Sequence, residues 1–226
     1  MQSKQVKGFT LIELLIVIGI IAILATVVIL TLNPAELLRQ ARDSTRISDL
    51  GTLKSAISLY LADYATPSLG NATQCYTSIA TGYMIATGTG AISCGTNLPA
   101  TGVGRFPAVN YFSVVSASGS ITTARNVNGA GWIPVDLTQI GSGAPISAMP
   151  MDPIVLSGGG NASATGYFYA YAVSSSRGIG SPLLFEVNAQ LESAKYGFGG
   201  GSDAASTDGG NSTGTFEVGT FPSLQL

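Results

Sequence analysis

The sequence has 226 residues, of which 46% are apolar and only 10% are charged, and its formal net charge is −2 with no histidine. This composition excludes a disordered polyelectrolyte, predicts one domain beside any membrane segment, and lacks the basic surplus of a nucleic-acid-binding protein. The absence of histidine excludes a Ser-His-Asp triad and a His-ligated zinc site, so we predict no enzyme activity, no metal and no cofactor.

The first predicted element is a long apolar run. Residues 9–32 contain one ionisable side chain, Glu13, and they follow a short segment whose only charges are Lys4 and Lys7. At about 1.5 Å per residue, a helix over this run reaches roughly 36 Å, enough to cross a hydrocarbon core of about 30 Å. Because positive residues stay cytoplasmic, we expect a single-pass segment with its N-terminus inside the cell. A carboxylate in such a segment is costly, so Glu13 requires a functional reason.

The junction before the apolar run resembles a known processing site. Residues 7–13, Lys-Gly-Phe-Thr-Leu-Ile-Glu, are similar to the N-terminal motif of type IV prepilins and of the pseudopilins of type II secretion. The resemblance implies cleavage after Gly8 by a membrane-embedded prepilin peptidase, and N-methylation of the new terminus, Phe9. It also implies that residues 1–8 are a leader peptide and that the apolar helix, 9–32, remains in the mature protein and packs in a filament core.

Within such a filament, Glu13 acquires a role in assembly. No lysine or arginine lies between residues 9 and 38, so the amine that cleavage creates at Phe9 is the one positive group near that depth. A carboxylate surrounded by apolar helices needs a cation. We hypothesise that Glu13 of one subunit pairs with the Phe9 amine of another and fixes the axial register.

A second helix is predicted over residues 33–64. Asn33-Pro34 favours either a helix start, with Asn as the cap and Pro at the first position, or a kink in one continuous helix. Apolar residues then recur at three- and four-residue steps, which predicts an amphipathic helix packed on a sheet. The apolar stripe comprises Ile47, Leu50, Leu53, Ile57, Leu61 and Tyr64, with Arg46, Asp49, Lys54 and Asp63 elsewhere on the helix.

Residues 65–130 are predicted to form an irregular connection with short strands, because Thr, Ser, Gly and Pro dominate there. The connection holds both cysteines of the chain, Cys75 and Cys94. An even cysteine count in an exported domain favours a disulfide, and we predict one between them. Two unpaired thiols are the alternative.

Residues 131–226 are predicted to form the sheet of the head. Alternation over 183–192 predicts a strand with one buried face, Tyr167–Val173 predicts a second strand, and a third is expected near Phe216 and Val218. One long helix lying across a small antiparallel sheet gives an α+β, pilin-like fold.

Two short segments of the head also resemble the globular domains of pseudopilins and of some bacterial pilins. They are Gly-Trp-Ile-Pro-Val at 131–135 and Pro-Met-Asp-Pro at 150–153, which are followed by Tyr-Phe-Tyr at 167–169. Ordinary turn chemistry is the alternative explanation, since Pro and Asp dominate turns.

The C-terminal stretch contains a group of oxygen ligands of the kind that Ca²⁺ prefers. They are Asp203, Asp208, Asn211 and Glu217. Their spacing does not match an EF-hand, so we predict a polar loop here and no metal site. The alternative, implied by the resemblance to major pseudopilins, is a calcium site in this loop.

Together these patterns predict a structural protein. We expect a precursor in the bacterial inner membrane that polymerises into a type IV pilus or pilus-like filament on the cell surface. Its partners are then further copies of itself, the prepilin peptidase and methyltransferase, the inner-membrane assembly machinery and the membrane. The alternatives are a pseudopilin of a type II secretion system and, from another class, a single-pass anchored surface binding module.

Overall fold

The computed structural model describes residues 8–70, 74–78, 113–116, 121–155, 167–174 and 183–222. The chain divides into two compact units, Met1–Arg39 and Gln40–Leu226. Helix α1 (Leu11–Leu32) lies in the first unit, and helix α2 (Pro34–Asp63) contributes residues to both. The second unit also contains a short helix α3 (Ile121–Ala124) and a 3₁₀ turn (Leu137–Gln139).

The two long helices are separated by one residue. α1 ends at Leu32 because the next residue, Asn33, has a left-handed backbone with φ 40° and ψ 74°. Pro34 begins α2, at a position where its missing N–H is not needed by the helix. The Asn33 carbonyl accepts hydrogen bonds from the N–H groups of Glu36 at 3.0 Å and Leu37 at 3.3 Å. Asn33-Pro34 is therefore a boundary between two helices and not a kink within one.

In the second unit, one face of α2 belongs to the hydrophobic core. The fully buried members of the predicted stripe are Leu50, Leu53 and Ile57. Leu61 and Tyr64 are only partly buried against the same core. The sequence-based placement of Arg46 away from this face is wrong, because Arg46 is completely buried.

The head contains a five-stranded sheet of order β2-β1-β3-β4-β5. Its strands are β1 (Gln74–Thr77), β2 (Ser113–Ser116), β3 (Tyr169–Ser174), β4 (Leu184–Gln190) and β5 (Thr215–Gly219). The pairs β1–β3, β3–β4 and β4–β5 are antiparallel, whereas β2 pairs parallel with β1 at the edge. The expected α+β fold with a small antiparallel sheet is confirmed, and the parallel edge strand is an addition.

The segments at 131–135 and 150–153 meet in the core. The Trp132 indole N–H donates to the Pro150 carbonyl at 2.9 Å, and the Trp132 ring lies 6.3 Å from the ring of Tyr169. Gly131 has no room for a side chain, since a Cβ there would overlap the Asn126 carbonyl oxygen. These residues therefore build the core of the head as well as turning the chain.

Strand β4 is buried on both faces, which corrects the prediction of one buried face. Glu186 and Asn188, on the face that alternation assigned to solvent, are both 0% exposed. The segment before β5 lies against this face, where the Ser212 N–H donates to a Glu217 carboxyl oxygen at 3.0 Å. Alternation within one strand cannot reveal a cover that comes from a distant loop.

Candidate processing and assembly segment

The predicted cleavage site lies immediately before α1. Gly8 and Phe9 belong to no helix or strand, and Phe9 is 84% exposed. A Cβ added at Gly8 meets no atom of the described residues within 4 Å. Packing against the described residues therefore does not require glycine at this position.

Glu13 belongs to a capping box at the start of α1. Thr10 is the N-cap, with an extended backbone of φ −83° and ψ 149°. The Thr10 N–H and hydroxyl donate to Glu13 Oε2 at 2.9 Å and 2.7 Å, and the Glu13 N–H donates to Thr10 Oγ1 at 3.3 Å. The first N–H groups of a helix have no partner within it, so this reciprocal arrangement stabilises the helix start.

Thr10 was not among the functional residues predicted from the sequence. Its signal was present, because Thr-Leu-Ile-Glu at 10–13 matches the S/T-x-x-E pattern before an apolar run. A carboxylate in the first turn also interacts favourably with the helix dipole. Glu13 therefore has a structural role within its own chain, whatever it does between chains.

Helix α1 is apolar around its whole circumference. The stretch Leu11–Ile29 is long and apolar enough to cross a membrane, and none of it is buried. Its large side chains range in exposure from 45% for Val17 to 81% for Leu11. Such a surface requires lipid or other apolar helices around it, because water solvates it poorly.

The predicted disulfide has only one of its cysteines in the described part of the chain. Cys75 lies in β1, between strands β2 and β3. Cys94 lies outside the described residues, so the pairing stays a prediction.

The acidic C-terminal stretch holds its own loop together. The Asp203 carboxylate accepts the N–H groups of Gly199 at 2.7 Å and Ser206 at 2.9 Å. These hydrogen bonds, with that from the Ser206 hydroxyl the largest, lower the pKa of Asp203. Within the described residues, no group of three or more His, Cys, Asp or Glu side chains could hold a metal ion.

A separate buried network of charges fixes α2 within the head. The Arg46 guanidinium donates to Asp152 at 2.7 Å and 3.1 Å, and its Nη1 donates to Asp43 and to Glu192, each at 2.7 Å. Arg42 forms a bidentate pair with the same Glu192 at 2.6 Å and 2.7 Å. The network joins α2 to the 150–153 segment and to the residues after β4.

The electrostatics of this network indicate a structural role. Burial by itself raises the pKa of Glu192, but the hydrogen bonds from Arg42 and Arg46 outweigh it and lower the pKa below its usual range. Each of the three carboxylates is thus engaged by a guanidinium. Groups that are fully paired in this way are poor candidates for proton transfer or nucleophilic attack.

The comparison with known families agrees with the N-terminal geometry. Residues 3–29 match the family described as the prokaryotic N-terminal methylation motif. No curated protein and no solved structure matches the chain. The matched range includes Gly8, Phe9, the Thr10–Glu13 capping box and most of α1. The chain therefore carries, ahead of an α+β head, the N-terminal methylation motif that is the hallmark of type IV pilins and pseudopilins.

Proposed function

We propose that this chain is a structural subunit that polymerises into a type IV pilus or pilus-like surface filament, after cleavage behind Gly8 and methylation of the Phe9 amine. The observation that carries the proposal is that the methylation motif, residues 3–29, includes most of a helix that is apolar all round and unburied. Such a helix suits a bilayer before assembly and a bundle of identical helices afterwards. Cleavage ahead of α1 leaves the helix on the mature chain, so one segment serves in both places.

The assembly step exchanges the hydrogen-bond partners of Glu13. Before cleavage the carboxylate is held by the Thr10 N–H and hydroxyl. Neutral donors stabilise a carboxylate less than a cation does, and a filament core offers neither water nor headgroups to solvate the charge. The Phe9 amine of a neighbouring copy supplies the cation. The capping box keeps Glu13 at the helix start, where that amine can reach it.

The test of this function is the N-terminus of the surface material. Filaments sheared from cells that express the chain should begin at N-methylated Phe9. Gly8→Val should retain the leader and yield no filaments, because a branched side chain crowds the scissile bond. Intact mass and N-terminal sequencing distinguish the two forms.

The matched control for this experiment is Gly19→Val. Gly19, like Gly8, has no atom of the described residues within 4 Å of an added Cβ, but it lies inside α1 and away from the scissile bond. Processing of this variant should be normal. Surface material that begins at Met1, or normal cleavage of Gly8→Val, contradicts the proposal.

A pseudopilin of a type II secretion system is the second candidate. The observation that favours it is the 150–153 segment, which resembles that of pseudopilins and whose Asp152 pairs with the buried Arg46. Deletion of the gene separates the two candidates. Loss of surface filaments with protein secretion intact supports the pilin, and loss of secretion without any change in surface filaments supports the pseudopilin. An uncut, monomeric surface chain would instead indicate an anchored binding module.

A further inference from the structure

The exposed apolar surface of the first compact unit does not end with α1. This unit, Met1–Arg39, also contains the first residues of α2. There Leu37 and Leu38 are 50% and 61% exposed, as the apolar side chains of α1 are. The only other large apolar side chain of α2 that is so exposed is Leu59, in the second unit. Leu37 and Leu38 therefore continue the surface of α1 beyond the helix boundary.

The break between the two helices indicates where this surface meets the membrane boundary. The last C=O groups of α1 and the first N–H groups of α2 have no partner within their own helices. Asn33 and Pro34 are both exposed, and the Asn33 carbonyl accepts from the N–H groups of Glu36 and Leu37 only. A hydrocarbon core holds no water to satisfy the remaining groups, so the break belongs at a membrane–water interface.

The length of α1 agrees with this placement. Its 22 residues extend about 33 Å, close to the roughly 30 Å of a hydrocarbon core. With Asn33 at one interface, the capping box of Thr10 and Glu13 lies near the other. Leu38 follows Asn33 by at most about 7.5 Å along the helix axis, which is about the depth of one headgroup layer. Segment 34–39 therefore lies within that layer.

Segment 34–39 is amphipathic, as an interfacial segment is. Pro34, Leu37 and Leu38 share one face through i, i+3 and i+4 spacing, and Glu36 and Arg39 lie away from it. The Arg39 side chain is 53% exposed, and its ion pair with Glu36, at 3.8 Å, is too long for a hydrogen bond. The guanidinium therefore keeps N–H donors available for a further acceptor.

We propose that Leu37, Leu38 and Arg39 form a lipid-binding surface, in which the two leucines enter the upper acyl chains and the Arg39 guanidinium binds the phosphate of a phospholipid headgroup. The fork of an arginine matches the oxygens of a phosphate, and its long stem carries the charge away from apolar surroundings. Apolar and basic residues act together in this way in interfacial helices generally. The binding takes place in the membrane-inserted chain and does not require polymerisation, so its failure and that of the proposed filament are separate results.

This surface fixes the depth of the chain in the bilayer. No charged residue lies between Glu13 and Glu36, and Arg39 is the first cation of the chain after Lys7. Arg39 is thus the first group beyond α1 that can hold an anionic headgroup. An apolar helix alone defines its depth loosely, whereas interfacial arginines set it.

The position of the leucines is tested with the full chain in phosphatidylcholine vesicles whose acyl chains carry bromine atoms, which quench nearby tryptophan. Leu38→Trp should lose fluorescence, and it should lose more in lipids brominated near the headgroup than in lipids brominated near the chain ends. The wild type, whose one tryptophan is the buried Trp132, gives the background. Leu59→Trp is the matched control, because Leu59 is also exposed on α2 but lies in the second unit, and its fluorescence should not change. A Leu38→Trp signal as insensitive to bromine as that of Leu59→Trp overturns the proposal.

A second copy of the chain is the competing cover for Leu37 and Leu38. The quenching of Leu38→Trp is therefore measured at increasing ratios of lipid to protein. A lipid-binding surface requires the same loss of fluorescence at every ratio. Quenching that appears only on dilution means that another copy covers the leucines, and the proposal is then wrong.

The contact between Arg39 and the phosphate is measured by solid-state NMR in vesicles of the same lipid without bromine. The buffer contains no phosphate, so the headgroup is the only source of phosphorus. Arginine-labelled wild type should lose guanidinium nitrogen signal through coupling to phosphorus, and Arg39→Gln should abolish that loss. Arg125→Gln, which removes an arginine that donates to the Met149 carbonyl of the head, should retain it. Equal signal loss in the wild type and in Arg39→Gln contradicts the phosphate site.

Discussion

At the scale of single residues, a few buried charged side chains hold parts of the head together. Arg46 is completely buried, and its guanidinium engages three carboxylates. Without it, these carboxylates would lie unpaired in a medium of low dielectric. Arginine suits the site because its rigid fork can bind several carboxylates at once. The side chain also lies 4.7 Å from the centre of the Tyr167 ring. Removal of the cation therefore leaves several buried negative charges without a partner.

Arg46→Met should consequently destabilise the head by about 3–5 kcal/mol, the usual cost of removing one partner from a buried ion pair. The control is Lys54→Met, an exposed position on the same helix, which should change stability by less than about 0.5 kcal/mol. Unfolding in urea, followed by the fluorescence of the buried Trp132, measures both variants. Equal stability of the two variants would show that the network contributes little.

The pH dependence of this network follows from the lowered pKa of Glu192. The pKa of Glu192 is lowered in the folded state, so its contribution is present at neutral pH and is lost as the pH falls through the folded-state pKa. Burial raises the pKa of Glu217 to about 7, so the contribution of Glu217 is lost as the pH rises through that value. The stability of the wild type should therefore decline on both sides of an optimum.

At the scale of elements, the sequence predicts those whose burial follows from their own pattern. The Leu50, Leu53 and Ile57 stripe of α2 and the apolar residues of β4, Phe185, Val187 and Ala189, all lie in the core where periodicity places them. The same patterns misplaced Arg46 and the Glu186 face, because their partners come from residues far away in the chain. Asp152 lies 106 residues beyond Arg46. An arginine that continues an apolar helix stripe, as Arg46 does four residues before Leu50, therefore indicates acidic partners far away in the chain.

The disulfide prediction concerns β1, the strand next to the edge strand β2. Cys75 is paired in register with Val114 of β2 and Ala172 of β3, so a bridge from it would tie the following connection to the centre of the sheet. In chain-entropy models, a disulfide that closes the loop from Cys75 to Cys94 gives roughly 3 kcal/mol of stabilisation. Intact mass after alkylation should show two modified thiols only after reduction. Two modified thiols without reductant would rule out the bridge.

At the scale of the whole molecule, the chain combines an apolar helix that none of the described residues bury with a head that has its own core. The sequence predicts both parts, because one depends on an unbroken apolar run and the other on periodicity. The capping box of Thr10 and Glu13 also has a local pattern, S/T-x-x-E before an apolar run, so the sequence is sufficient to predict it. Glu13 therefore has two candidate roles, helix capping within its own chain and pairing between chains.

Four variants distinguish the capping role of Glu13 from its role in pairing between subunits. Glu13→Leu removes both the cap and the charge. Glu13→Gln removes only the charge, because glutamine also serves in a capping box. Thr10→Ala removes the cap hydroxyl and keeps the charge, and Thr10→Ser restores the hydroxyl as the matched control.

If Glu13 pairs with the Phe9 amine of another subunit, both Glu13 variants should insert in the membrane at wild-type levels and yield few or no sheared filaments. Thr10→Ala should then lose only part of the yield and Thr10→Ser none. Filament yield divided by membrane abundance is the measurement. Normal yield from Glu13→Gln together with a severe loss in Thr10→Ala would assign Glu13 to helix capping alone, because the variant that keeps the cap would assemble and the variant that keeps the charge would not.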